Sequence, residues 1–158
     1  MPRPDRSSLF FNSKDSAKIV NAASNDSPER FLCYNRQALA EFYRRELLEN
    51  VLSFWLRHGL DASHGGIMTC AERDGTVIDP DKSIWQQGRA AWLFARVYNA
   101  LEAKPEYLQA ATTIIDFLSK YGVDPSDGRM WFHVTRDGRP IRKRRYAFSE
   151  AFAAIAFG

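Results

Sequence analysis

Two stretches of this chain superpose without a gap at an offset of 63 residues, the separation of Gly75 and Gly138. At that offset Phe54 falls on Phe117, Gly59 on Gly122, Asp61 on Asp124, Ser63 on Ser126 and Gly65 on Gly128. Arg73-Asp74-Gly75 falls on Arg136-Asp137-Gly138, Ile78 on Ile141, Ala90-Ala91 on Ala153-Ala154 and Phe94 on Phe157. The matches concentrate where a chain has to stop or turn, which defines an internal repeat. A repeating unit buries its apolar face against its neighbours, so the fold expected is an array of like units.

Each unit reads as helix, β-hairpin, helix. From about Asn35 to His58, the residues Leu39, Phe42, Leu48, Val51, Leu52 and Trp55 recur at helical spacing, and Gly59 is a fitting C-cap. Asp61 to Gly66 forms a turn, Ile67 to Ala71 alternates like a strand, Arg73-Asp74-Gly75 turns the hairpin and Thr76 to Ile78 returns. Asp79-Pro80 supplies an N-cap and a first-turn proline for a second helix reaching about Leu101. The second unit runs from a helix at Pro105–Tyr121, closed by Gly122, through the turn Asp124 to Gly128 and a strand at Met130 to Val134. Its hairpin turn is Arg136-Asp137-Gly138, Ile141 lies on the return, and a helix rich in small residues spans about Arg145 to Phe157. Residues 1–30, rich in Ser, Asn, Asp and Pro, are expected as a disordered or loosely docked lead-in, and 31–158 as the folded part. With only two copies, and an apolar helix ending at Phe157-Gly158, the 158 residues are expected to be the front part of a longer helical toroid.

Several function classes are disfavoured. The net charge is a modest +3, and the basic run Arg142-Lys143-Arg144-Arg145 has no interleaved aromatics, so it reads as a solvated loop, with no nucleic-acid partner expected. Cys33 and Cys70 form no CxxC pair, which fits reduced thiols. His58, His64 and His133 lack ligand spacing, so no metal site is expected. Neither a signal-like apolar region nor a run of membrane-spanning length occurs, and the expectation is a soluble, cytoplasmic protein without a membrane partner.

The stretch Ser83-Ile84-Trp85-Gln86-Gln87-Gly88-Arg89-Ala90-Ala91-Trp92 breaks the usual amphipathic pattern. Trp85, Arg89, Trp92 and Arg96 share one helical stripe, mixing tryptophans with arginines. Gly88 mid-helix costs roughly 1 kcal/mol against alanine, so something needs the missing side chain. Two accounts compete: a core helix whose arginine pairs with a buried carboxylate, and a polar pocket with an arginine between flat aromatic walls, which suits a sugar.

Phe42-Tyr43-Arg44-Arg45-Glu46-Leu47-Leu48-Glu49-Asn50-Val51-Leu52-Ser53-Phe54-Trp55, Gly65-Gly66-Ile67-Met68-Thr69-Cys70, Arg73-Asp74-Gly75 and Asp81 to Arg89 resemble the N-terminal part of the N-acylglucosamine 2-epimerases. The resemblance continues through Arg136-Asp137-Gly138-Arg139-Pro140 and Tyr146-Ala147-Phe148-Ser149-Glu150-Ala151-Phe152, covering roughly residues 31–158. It implies an all-α fold, an (α/α)6 barrel of helix pairs with short β-hairpins between the helices, of which this chain supplies between two and three pairs. It also implies epimerisation by removal of the C2 proton of an open-chain aldose, of the type that converts N-acyl-D-glucosamine to N-acyl-D-mannosamine. The enediolate formed needs an acid/base pair tuned near neutral pH and a cationic donor beside the carbonyl oxygen.

By this resemblance Arg89, Trp85 and Tyr146 are substrate-binding residues. The catalytic histidines belong to later repeats, so no catalytic residue is assigned here and these 158 residues alone are expected to be inactive. His58, His64 and His133 are not given that role, and Glu150 is expected in a helix-end salt bridge. Placing the Trp85 helix in the layer facing the toroid axis favours the pocket over the buried ion pair. The implied partner is a small-molecule sugar (N-acetylglucosamine, mannose, glucose and cellobiose all stay open), with a homodimer in the full-length form. No cofactor is expected; part of the family is regulated by a nucleotide, yet no glycine-rich phosphate loop is visible. Two other readings stand beside this one. A glycoside hydrolase or lyase would use carboxylates such as Asp79, Asp81 and Glu150, although the first two are explained as helix N-terminal residues. A non-catalytic helical scaffold would bind a partner protein through an open apolar surface.

Overall fold

The computed structural model describes residues 28–144 and 146–158, and the side chains of these from residue 35 onward. The chain divides at Val51/Leu52 into two compact units. In the first, helix α1 spans Pro28–Arg45, and a π-helical segment, Glu46–Leu52, runs to the boundary. The helix therefore starts about seven residues earlier than its apolar periodicity indicates, with Pro28 and Glu29 opening it. A proline at the first turn needs no N–H partner, so this start is chemically ordinary. Of the lead-in expected at 1–30, the last three residues are helical and the rest lie outside the described residues.

The second unit begins with α2, Ser53–His58. It continues with β1 (Cys70–Ala71), β2 (Val77–Asp79), β3 (Lys82–Ser83), α3 (Ile84–Ala100) and α4 (Pro105–Tyr121). The strands β4 (His133–Val134) and β5 (Pro140–Arg142) and helix α5 (Tyr146–Phe157) complete it. The sequence repeat is reproduced bond by bond. The bridge Leu60↔Ile67 has its counterpart in Val123↔Met130, and Cys70↔Asp79 in His133↔Arg142. Asp61 N–H donates to Gly66 O as Asp124 N–H donates to Arg129 O, and Gly75 N–H to Glu72 O as Gly138 N–H to Thr135 O. Gly75 and Gly138 have φ of +92° and +91°, the left-handed region that the hairpin turn requires and glycine enters freely.

Gly59 and Gly122 cap α2 and α4, the positions expected of them. Both stay right-handed, at φ −91° and −76°. What excludes a side chain there is space: a Cβ would lie 2.5 Å from Trp55 Cε3 at the first and 3.0 Å from Leu118 Cδ1 at the second.

A second correction concerns the start of α3. Asp79 ends β2, Asp81 precedes β3, and the helix begins at Ile84, so Asp79-Pro80 is not its cap. The intervening residues are drawn into strand pairing, because Lys82 and Ser83 lie antiparallel to Val134 and His133. The result is a two-stranded sheet, β1-β2, and a three-stranded one, β3-β4-β5, in which the end of the first repeat joins the hairpin of the second. Ile84, Phe117, Leu118, Met130, Val134 and Ala153, drawn from α3, α4, α5 and the second hairpin, form a common core. Gly88 allows the approach of α5, since a Cβ would lie 2.7 Å from the Phe152 carbonyl oxygen.

Candidate functional site

Helix α3 buries Ile84, Gln87, Gly88, Ala91, Phe94 and Val97, spacings of three and four that make one face. The stripe of Trp85, Arg89, Trp92 and Arg96 therefore lies off that face, with Arg89, Trp92 and Arg96 exposed and Trp85 half-buried. Trp85 and Arg89 line a groove of about 250 Å³ together with Trp55, Thr69, Gln86 and Leu93 among others. Among the described residues no hydrogen bond or ion pair holds the Arg89 guanidinium, so the buried-carboxylate account of this arginine is not what the fold provides. The Trp85 ring also packs at 5.3 Å from Phe148 and 5.5 Å from Phe152, which holds it against α5. At the repeat offset Phe148 and Phe152 are the counterparts of Trp85 and Arg89, so only the first repeat places a cation at this position.

Tyr146 opens α5 and is not among the residues lining the groove. Arg129 lies over its ring at 4.9 Å, and the same guanidinium pairs with Glu150 at 3.5 Å on the protein surface. Glu150 is thus engaged near the helix start, and no histidine lines the groove.

Two buried polar constructions, one of them on the groove-lining Ile67, hold this part of the fold together, and neither has a sequence signature. Gln87 is fully buried and grips Ile67 twice, accepting from its N–H and donating to its C=O, both at 2.8 Å. This fixes the segment leading to Thr69 against α3, and it explains Gly66, whose Cβ would lie 2.7 Å from Gln87 Oε1. Behind it Lys82, 0 % exposed, donates to Asp61 Oδ2 at 2.9 Å, Gly65 O at 2.7 Å and Arg136 O at 2.9 Å. Asp61 also accepts two bonds from the Arg136 guanidinium, at 2.8 and 2.9 Å, and two from the Ser63 and His64 amides. Burial alone would raise the Asp61 carboxyl, but the donors Arg136, Lys82 and Ser63 outweigh it and hold the group well below the ordinary carboxylate range. Burial pulls Lys82 below its ordinary value, with Asp61 opposing. All three ammonium protons are engaged, which makes Lys82 a structural cross-link between the repeats.

The second repeat carries a lighter version of this knot. Lys143 donates to Asp124 at 2.6 Å and pairs with Asp127 at 2.7 Å, and the hydrogen bond from Lys143 lowers Asp124 to about 2. Elsewhere, Asp79, Asp81 and His133 bring one ligand atom each within 4.8 Å of one another where the two sheets meet. None of the three lines the groove.

A sequence model of the family described as N-acylglucosamine 2-epimerase (GlcNAc 2-epimerase) matches residues 65–158, more than half of the chain. The chain belongs to this family. N-acylglucosamine 2-epimerase of Mus musculus is 42% identical over 112 residues, which cover 69% of this chain and 27% of the mouse protein. Cellobiose 2-epimerase of Eubacterium cellulosolvens is 27% identical over 117 residues, or 73% of this chain and 28% of that one. Among solved structures, cellobiose 2-epimerase from Spirochaeta thermophila superposes with a TM-score of 0.65 at 29% identity, covering 77% of this chain and 29% of its own. The chain thus spans a little over a quarter of the length of the relatives it matches. Among the described residues no helix is long and apolar enough to cross a membrane.

Proposed function

We propose that the chain contributes part of the sugar-binding wall of a 2-epimerase, acting on an open-chain aldose by C2 proton abstraction, within an (α/α)6 barrel. The observation that carries this reading is the groove of α3, where Arg89 lies beside Trp85 and Trp55 and, among the described residues, has no hydrogen-bond or ion-pair partner. Flat aromatic rings stack on the apolar face of a sugar, and a guanidinium supplies fixed donors to its oxygens. A cation there also suits the oxyanion that develops as the enediolate forms. In this reading Trp85 and Arg89 bind the sugar, Tyr146, outside this groove at the start of α5, is assigned to the substrate by the family resemblance alone, and the acid/base pair is histidine-based and comes from other repeats. The partner is a small-molecule sugar, and the setting is cytoplasmic.

Two measurements test this. N-acetylglucosamine and cellobiose titrated against the 158 residues are expected to change tryptophan fluorescence, with the response lost in Arg89→Met and retained in Arg96→Met. Absence of any response at saturating sugar, or its survival in Arg89→Met, overturns the groove assignment. C2 proton exchange into deuterated water is expected to be undetectable for these residues alone. Measurable turnover would refute an acid/base pair drawn from elsewhere.

A further inference from the structure

We propose that Asp79, Asp81 and His133 bind one first-row divalent cation of the zinc class, clipping the hairpin of the first repeat to the second. The three ligand atoms come from the end of β2, the link before β3, and β4, and all lie within 4.8 Å of one another. Two carboxylate oxygens and an imidazole nitrogen are a donor set suited to zinc, cobalt or manganese, and less so to magnesium or calcium, which prefer oxygen alone. Ligands at about 2.1 Å in a tetrahedron stand about 3.4 Å apart. The cluster closes to that size by rotation of side chains that are exposed at Asp79 and half-buried at Asp81 and His133.

Two further observations separate this arrangement from an ordinary acidic turn. His133 Nδ1 shares a hydrogen bond of 3.1 Å with Ser83 Oγ, the residue directly opposite it in the ladder. A second partner of this kind fixes ring orientation, as in metal-bound histidines generally. The repeat itself supplies the second observation. At the offset of 63 the counterparts of Asp79 and Asp81 are Arg142 and Arg144, in a hairpin of matching register. The fold of the hairpin therefore does not require carboxylates at these positions. Asp79 Oδ1 accepts the Asp81 N–H at 2.9 Å, and among the described residues no basic side chain forms an ion pair with either aspartate. Spacing in the sequence hides the set, since His133 reaches it only through strand pairing.

The test is titration of Zn²⁺, and separately Mg²⁺, into the chelator-treated chain by calorimetry, followed by Co²⁺ absorbance. One Zn²⁺ per chain is expected, with Mg²⁺ far weaker, a cobalt spectrum of low coordination number, and a Tm raised by about 5 °C or more at saturation. Asp79→Asn and His133→Gln should each weaken Zn²⁺ by at least ~100-fold, and Ser83→Ala by roughly 10-fold. Glu106→Gln, at the start of α4, should leave it unchanged. In the unaltered chain, Zn²⁺ should shift the His133 imidazole resonances and not those of His58, a readout that does not depend on any variant folding. Absence of stoichiometric binding, or binding that leaves the His133 resonances unmoved, overturns the proposal.

Discussion

Replacing Lys82 with Met keeps most of the side-chain volume and its place against the Phe117 ring, which the ammonium approaches to 4.3 Å. It removes three donated bonds at once, to Asp61, Gly65 O and Arg136 O. Asp61 retains two bonds from Arg136 and two from backbone amides, so its charge is not stranded. The cost then falls mainly on two carbonyls left short of a donor, each at about 1–3 kcal/mol. Removing one member of a buried pair costs about 3–5 kcal/mol when nothing else compensates. With Arg136 compensating, Lys82→Met is expected near the lower end, about 3 kcal/mol. Urea denaturation at pH 7 measures it. The same loss lowers Tm by roughly 12–20 °C in a unit of this size. Removing Asp61 as well should cost less than the sum of the two single changes by about 1 kcal/mol or more, since the ammonium and carboxylate are then absent together. A Lys82→Met cost below about 1 kcal/mol, or strictly additive singles, would refute a cross-link of coupled charges. Acid supplies an independent check. The folded Asp61 carboxyl lies below its ordinary 3.8, so its contribution is present above that pH and is lost as pH falls from there towards the folded value. Stability should drop steeply below about pH 4, and Asp61→Asn should flatten that acid limb.

Other changes give sharp contrasts. Gly88→Ala improves intrinsic helix propensity by about 1 kcal/mol, yet overpacking against the Phe152 carbonyl should make the net effect destabilising by about 1–2 kcal/mol in thermal melts. Gly138→Ala and Gly128→Ala share the conformational penalty of positive φ, at +91° and +71°. Only Gly138→Ala adds a clash, with Tyr121 Cδ1 2.3 Å from the new Cβ, so it should cost at least about 1 kcal/mol more by chemical denaturation. Gln87→Leu leaves both polar groups of Ile67 unpaired in a buried setting and should cost about 2–4 kcal/mol, with faster amide exchange at Ile67 as the local signature.

The repeat carried most of what was legible beforehand. It located both hairpins, the helix Pro105–Tyr121 and the pairing of glycines at turns, because turn chemistry is local and is written in a few residues. Asp79-Pro80 misled for the same reason: a local cap signal lost to a nonlocal strand, β3, whose partner is some fifty residues away. Trp85 and Arg89 were visible as an oddity of one helical face, and the groove they share was legible only as that oddity. Gln87 and Lys82 were not visible at all. Their work is to satisfy backbone groups and a carboxylate brought near by the fold, and no spacing in one dimension encodes it.

The short strand β3 belongs in sequence to the first repeat and in space to the sheet of the second. In the language of a one-dimensional lattice, this exchange moves free energy out of the single-site term and into the coupling between neighbours. Lys82 sits on that strand and reaches Arg136 across the same boundary, which adds to the coupling. A segment containing either repeat alone would lack a strand partner and an ion-pair partner together. Residues 52–158 should therefore melt in a single transition, as one cooperative unit, although their sequence is plainly two copies of one pattern.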